Sequence, residues 1–98
     1  MATIRFARRL AEDVARIAEH LRAQEVEAIG ERIDEVFEAL RVLEHHPLIG
    51  RKARPARREF VIGRGSRGYV ALYRYDDLDD VVEVLALRGQ KEAGFDEG

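Results

Sequence analysis

Three arginines and three tyrosines fall between Gly63 and Tyr75, in the run G-R-G-S-R-G-Y-V-A-L-Y-R-Y. Guanidinium groups bind phosphates and carboxylates through paired hydrogen bonds. Phenol rings stack on flat groups and carry a polar tip. The chemistry this segment offers is therefore recognition of an anionic partner. Its glycines do not make a phosphate loop: the run lacks the Lys-Ser/Thr ending, and no helix follows to present its N-terminus. They read instead as a tight turn that exposes Arg64 and Arg67 to carboxylates or phosphates. Tyr69, Tyr73 and Tyr75 either stack on a partner or pack across strands to stiffen a sheet.

Charge along the chain supports the same focus. Residues 1–44 carry 7 basic and 10 acidic side chains, residues 45–75 carry 8 and 1, and residues 76–98 carry 2 and 8. A block of +7 lies between two acidic blocks, although the net charge is only −2. Such a cluster attracts a polyanion or an acidic peptide. Its bland counterpart is a solvated face neutralised by Asp76, Asp77, Asp79 and Asp80.

The histidines offer less. His45 and His46 are adjacent at a helix end and point in different directions, so a shared metal ion is not expected. His20 sits beside an apolar stripe and reads as a packing or surface residue. The chain has no cysteine, hence no disulfide framework and no thiolate metal site. No metal and no cofactor are expected.

Length bounds the frame that positions these groups. The 98 residues fit one domain, 1–98, with a single modest core. No apolar run is long enough to span a bilayer, and the first residues lack the apolar core of a signal peptide. The expected location is the cytoplasm, with no membrane partner.

Residues 3–6 alternate as a short strand. Residues 8–22 read as a helix, with Leu10, Val14, Ile17 and Leu21 in one stripe and Glu12 and Asp13 in the first turn. Val26, Ile29, Ile33, Val36, Leu40 and Leu43 continue the pattern in a second helix over 26–44. The short connection implies an antiparallel hairpin. Gly30 within it suggests close approach of the partner helix, or a tolerated surface glycine. Pro47 ends the helix, and 47–56 reads as a loop.

Three strand-like runs follow, at 57–63, 68–75 and 81–88, joined by short loops as an antiparallel meander. Alternation puts Val70 and Leu72 on one face of the middle run, and Tyr69, Ala71, Tyr73 and Tyr75 on the other. In the last run Val81, Glu83, Leu85 and Leu87 oppose Val82, Val84, Ala86 and Arg88. Residues 89–98 read as an acidic tail anchored through Phe95. The expected fold class is α+β in the order β-α-α-β-β-β, with the helices on one face of the sheet. The first strand could join either edge of the meander. Nothing remains to cover the other face, which is expected to display tyrosines and nearby arginines to a partner.

With those elements in order, the chain resembles the RelE/ParE superfamily of toxins from type II toxin–antitoxin modules. The likeness rests on the helical hairpin of 8–44, H-P-L-I-G-R at His46–Arg51, R-R-E-F-V-I-G at 57–63, V-A-L-Y-R-Y at 70–75 and V-L-A-L-R-G-Q-K-E at 84–92. Each piece is modestly specific, and their order and spacing are the stronger signal. The ending is similar to the ParE-like branch, the plasmid stabilisation proteins. The resemblance implies a toxin neutralised by a cognate antitoxin in a hetero-oligomer, with operator DNA reached only through that antitoxin.

The superfamily contains messenger-RNA endoribonucleases that act on the ribosome and poisons of DNA gyrase. RNA cleavage needs a base, an acid and cations for the phosphate. The cations would be Arg58, Arg74, Arg88 and Lys91. Proton-transfer groups are scarcer: related sequences often carry histidine where this chain has Gly89, and nuclease members often carry tyrosine near the C-terminus, where it offers Phe95. The sequence pI of about 5.9 also differs from the strongly basic nucleases. The resemblance thus implies inhibition of DNA gyrase by binding, with no catalytic residue, through Arg51, Arg58, Arg64, Arg67, Tyr73, Arg74, Arg88 and Lys91 toward target or antitoxin. The alternatives are a ribonuclease translation inhibitor and a non-toxic module serving only autoregulation.

Overall fold

The structure, a computed structural model, describes residues 1–92. The expected anchor Phe95 lies outside the described residues. Five strands and two helices follow one another as β1 (Thr3–Phe6), α1 (Leu10–Ala23), α2 (Ile29–Leu40), β2 (Arg51–Arg54), β3 (Arg57–Ile62), β4 (Tyr69–Asp76) and β5 (Val81–Gly89). One sheet holds all five strands in the order β1-β5-β4-β3-β2. The expected antiparallel meander is present as β3-β4-β5, but the sheet is larger and mixed.

Two corrections concern its edges. β2 arises within the segment expected to be a loop, and it pairs antiparallel with β3. β1 joins the β5 edge in parallel, with Thr3 opposite Val81 and Phe6 opposite Val84. Backbone bonds from Ala2 N to Glu44 O (2.8 Å) and from Thr3 N to Asp80 O (3.0 Å) hold its start in place.

The apolar stripes of the helices meet one side of this sheet. Leu10, Ile17 and Leu21 of α1 and Val36 and Leu40 of α2 share a core with Ala71, Tyr73, Val82, Val84 and Leu87. Leu43, in a 3-10 turn at Arg41–Glu44, is fully buried in the same core. α2 proper is shorter than its periodicity predicts. It starts at Ile29, after Ala28 in a left-handed conformation, and its last turn tightens ahead of Pro47. Gly30 is exposed, and a Cβ built there meets nothing within 4 Å, so close helix approach is not its reason. Gly30→Ala should therefore stabilise the fold by about 0.5–1 kcal/mol, read as a raised urea midpoint at constant slope.

Tyr69, Tyr73 and Tyr75 all belong to the helix-covered side. The expectation of an open face bearing tyrosines is thus overturned. Alternation says which residues share a face, but the choice of buried face follows from packing. Here the phenyl rings of β4 carry the apolar area that the helices need. The face away from the helices holds Val70, Leu72 and Ala86 as a narrow strip, each at most 3% exposed. In register beside the strip lie Glu59, Arg74, Glu83 and Arg88. Among the described residues, charged side chains rather than a helix or strand flank this strip.

A bulge explains the remaining difference. Leu72 pairs with Ala86 and Tyr73 with Val84, so Leu85 is an extra residue on β5. The alternation flips there. Leu87 joins Val82 and Val84 in the core, while Ala86 and Arg88 turn to the face away from the helices.

Candidate functional site

The eight residues singled out from the sequence do not converge. Arg51, Arg74 and Arg88 lie on the side of the sheet away from the helices. Arg51 is paired with Glu59 at 2.9 Å and Arg74 with Glu83 at 2.9 Å. Arg88 Nη1 donates to Gly89 O at 3.2 Å and Glu92 O at 3.1 Å. Arg64 and Arg67 are exposed in the β3–β4 turn, and Lys91 is exposed just beyond β5.

Two of the eight bond to the chain's own segment before β2 instead. Tyr73 is 0% exposed and offers no surface to a partner, which corrects its assignment as a contact residue. Its hydroxyl accepts a hydrogen bond from Gly50 N at 2.8 Å. Burial pushes the Tyr73 phenol up, opposed by the Gly50 N–H and the nearby Arg58 cation. Arg58 Nη1 donates to Leu48 O at 3.1 Å and Gly50 O at 2.8 Å. It straps the segment before β2 onto β3.

The fold presents two basic surfaces. The first follows the edge strand β2, all four of whose residues, R-K-A-R, are exposed. A groove of about 570 Å³ beside it is lined by Lys52, Arg54, Arg57 and Arg58, with Leu48 and Tyr75. Cationic side chains on a short edge strand also blunt unwanted strand pairing. The +7 block of the sequence already marked this region.

The second surface is a cleft of about 570 Å³ among α1, α2, the β3–β4 turn and the end of β5. Arg16, His20, Arg32, Arg67, Tyr69 and Lys91 contribute to its walls. Sequence reasoning missed Arg16, Arg32 and the position of His20. They sit on polar helix faces far apart in the chain, and only the fold brings them to Arg67.

Arg16 is the most engaged of these. Its Nη1 donates to Asp13 Oδ1 at 2.8 Å and its Nη2 to Leu87 O at 3.0 Å. Its Nε and Nη2 also donate to the two oxygens of Glu92 at 2.9 and 3.1 Å. Asp13 Oδ2 accepts from Leu87 N at 2.9 Å, and Glu92 Oε2 from Gly89 N at 2.7 Å. Burial works to raise the Glu92 pKa, but the Arg16 guanidinium and the Gly89 N–H together hold it below the usual carboxylate value. The network ties α1 to the strand beyond the bulge. Among the described residues, no group of three or more His, Cys, Asp or Glu could hold a metal ion. No helix among them is long and apolar enough to cross a membrane.

A helical pair on one side of a five-stranded mixed sheet is a fold seen in a solved structure. The fold is similar to a chain in the crystal structure of the archaeal RelE–RelB complex from Pyrococcus horikoshii OT3. The TM-score is 0.56 at 14% identity, covering 94% of this chain and 98% of that one. At the level of sequence, the family model described as the ParE toxin of type II toxin–antitoxin system, parDE, matches residues 4–94. This chain belongs to the ParE toxin family. No curated protein matches it.

Proposed function

We propose that this chain acts as the toxin of a type II toxin–antitoxin pair, halting replication by binding DNA gyrase and trapping its cleaved-DNA complex. Membership of the ParE toxin family over residues 4–94 is the observation that carries this reading. The exposed Arg64 and Arg67 on a short glycine-flanked turn fit inhibition by binding, since they can pair with phosphates or carboxylates of a target. A cognate antitoxin neutralises the toxin in the cytoplasm, and an acidic segment of it suits the basic edge at β2. Operator DNA is met only through the antitoxin, and no cofactor takes part.

A gyrase supercoiling and cleavage assay run beside a messenger-RNA cleavage assay tests the choice of target. The purified chain should inhibit supercoiling and accumulate cleaved DNA. The Arg64→Glu/Arg67→Glu double variant should need at least about tenfold more protein, because reversing two contact charges costs upward of 1.4 kcal/mol. RNA cut at defined sites, with gyrase untouched, would reverse the assignment.

One observation favours that second reading, a RelE-like ribonuclease. His20 and Tyr69 share the cleft with Arg32, Arg67 and Lys91, so groups able to move protons stand near phosphate-binding cations. His20→Ala separates the two: it would abolish RNA cleavage and leave gyrase inhibition intact.

A further inference from the structure

We infer that the cleft between the helices and the β3–β4 turn is a phosphate-binding site held closed by the chain's own Glu92 carboxylate. The inference goes beyond the gyrase reading and does not depend on it. Its core is a geometric match. Arg16 presents Nε and Nη2 as a fork to the Glu92 oxygens, and the Gly89 N–H donates to one of those oxygens from a second direction. A guanidinium fork with a convergent backbone N–H is the receptor geometry that binds tetrahedral oxyanions.

The cleft holds more positive charge than this carboxylate uses. Arg32, Arg67 and Lys91 also line it. Among the described residues, none of these three makes an ion pair or side-chain hydrogen bond. One tethered carboxylate is engaged by Arg16 and one N–H. A phosphate brings more oxygens and up to twice the charge, and can engage the remaining cations as well. The volume of about 570 Å³ admits a phosphate with the sugar or base attached to it. Apolar Ile17, Leu21 and Val26 line the same cleft and lower the local dielectric, which strengthens each ionic contact.

Glu92 is therefore an internal competitor. It lies just past β5, on a segment whose backbone bond from Glu92 N to Gly89 O (3.1 Å) forms a simple turn. Its side chain is 42% exposed, so it can swing to solvent without unfolding the sheet. An incoming phosphate replaces it at Arg16, while Asp13 continues to hold Arg16 from the other side. The ligand class is a phosphate group, whether on a free nucleotide or in a nucleic-acid backbone.

The test is an amide chemical-shift titration of the full chain with inorganic phosphate, then with a mononucleotide and a short single-stranded DNA. Shifts should centre on Arg16, Arg67, Gly89 and Lys91. Glu92→Gln should tighten inorganic phosphate about tenfold, since one charge-assisted competitor is removed. Glu38→Gln, which removes the same charge on the far side of α2, should leave the affinity unchanged. Arg67→Gln, at an exposed position, should weaken it severalfold without loss of fold. Tighter binding of the mononucleotide assigns a terminal phosphate, and tighter binding of DNA assigns the backbone; either supports the site. Equal phosphate affinity in Glu92→Gln and the unaltered chain, or shifts centred elsewhere, would overturn it.

Discussion

Replacing Asp13 by alanine is expected to lower the stability of the fold by about 3 kcal/mol, the largest loss for any charged side chain described here. Asp13 is 4% exposed and the sole buried charged residue among those described. Its two oxygens do different work. One takes the Leu87 N–H beyond the β5 bulge, and the other takes Arg16. Alanine would leave a buried N–H without its acceptor, which costs about 1–3 kcal/mol, and would remove a charge-assisted bond as well. Arg16 is 45% exposed and can turn to water, so an unpaired buried cation does not add to the cost. Asp13→Asn keeps an acceptor for Leu87 N and should lose only about half as much. Urea unfolding of both variants decides. A loss under about 0.5 kcal/mol for alanine would mean the bulge is held by other contacts.

Gly50→Ala is expected to be comparably damaging for a steric reason. A Cβ at position 50 would lie 2.6 Å from Tyr73 Cε1, 2.7 Å from its hydroxyl and 2.8 Å from Glu59 O. Neither neighbour can retreat easily: Tyr73 is 0% exposed, and Glu59 is paired with Arg51 across the β2–β3 ladder. The variant must shift the backbone and stretch the Gly50 N to Tyr73 hydroxyl bond, at about 2–4 kcal/mol. Tyr73→Phe removes that bond without a clash and should cost about 1–2 kcal/mol. Gly50→Ala should therefore be the worse of the two in thermal unfolding. The reverse order would show that the hydroxyl, not the space, governs this corner. Because Gly50 leads directly into β2, its variant should also disturb the basic edge strand.

These sites show where reasoning from the sequence succeeds and where it stops. The helical pair and β3, β4 and β5 are legible because apolar residues recur at the helical period and alternate at the strand period. β2 is not legible: R-K-A-R has no apolar face to betray a strand, and only pairing with β3 makes it one. The parallel partner of β1 is equally hidden, since a four-residue strand carries no register of its own. Alternation grouped the three tyrosines correctly on one face, but the helices then covered the face expected to stay open. The extra residue at Leu85 shifted Leu87 inward for a reason visible only in the β4–β5 ladder. The basic character of 45–75 was plain from charge alone. The cleft was not, because its cations come from two helices, a turn and a chain end.

The parallel contact between β1 and β5 also fixes when this protein becomes itself. β1 leaves the ribosome long before its neighbour β5, because Thr3 waits for Val81. Contacts so distant in sequence form late and slowly. A chain terminated before residue 81 therefore leaves β1 without the strand it pairs with. Closure of the five-stranded sheet is deferred until residues 81–89 have been made, which leaves an interval in which the edge of β1 stands open.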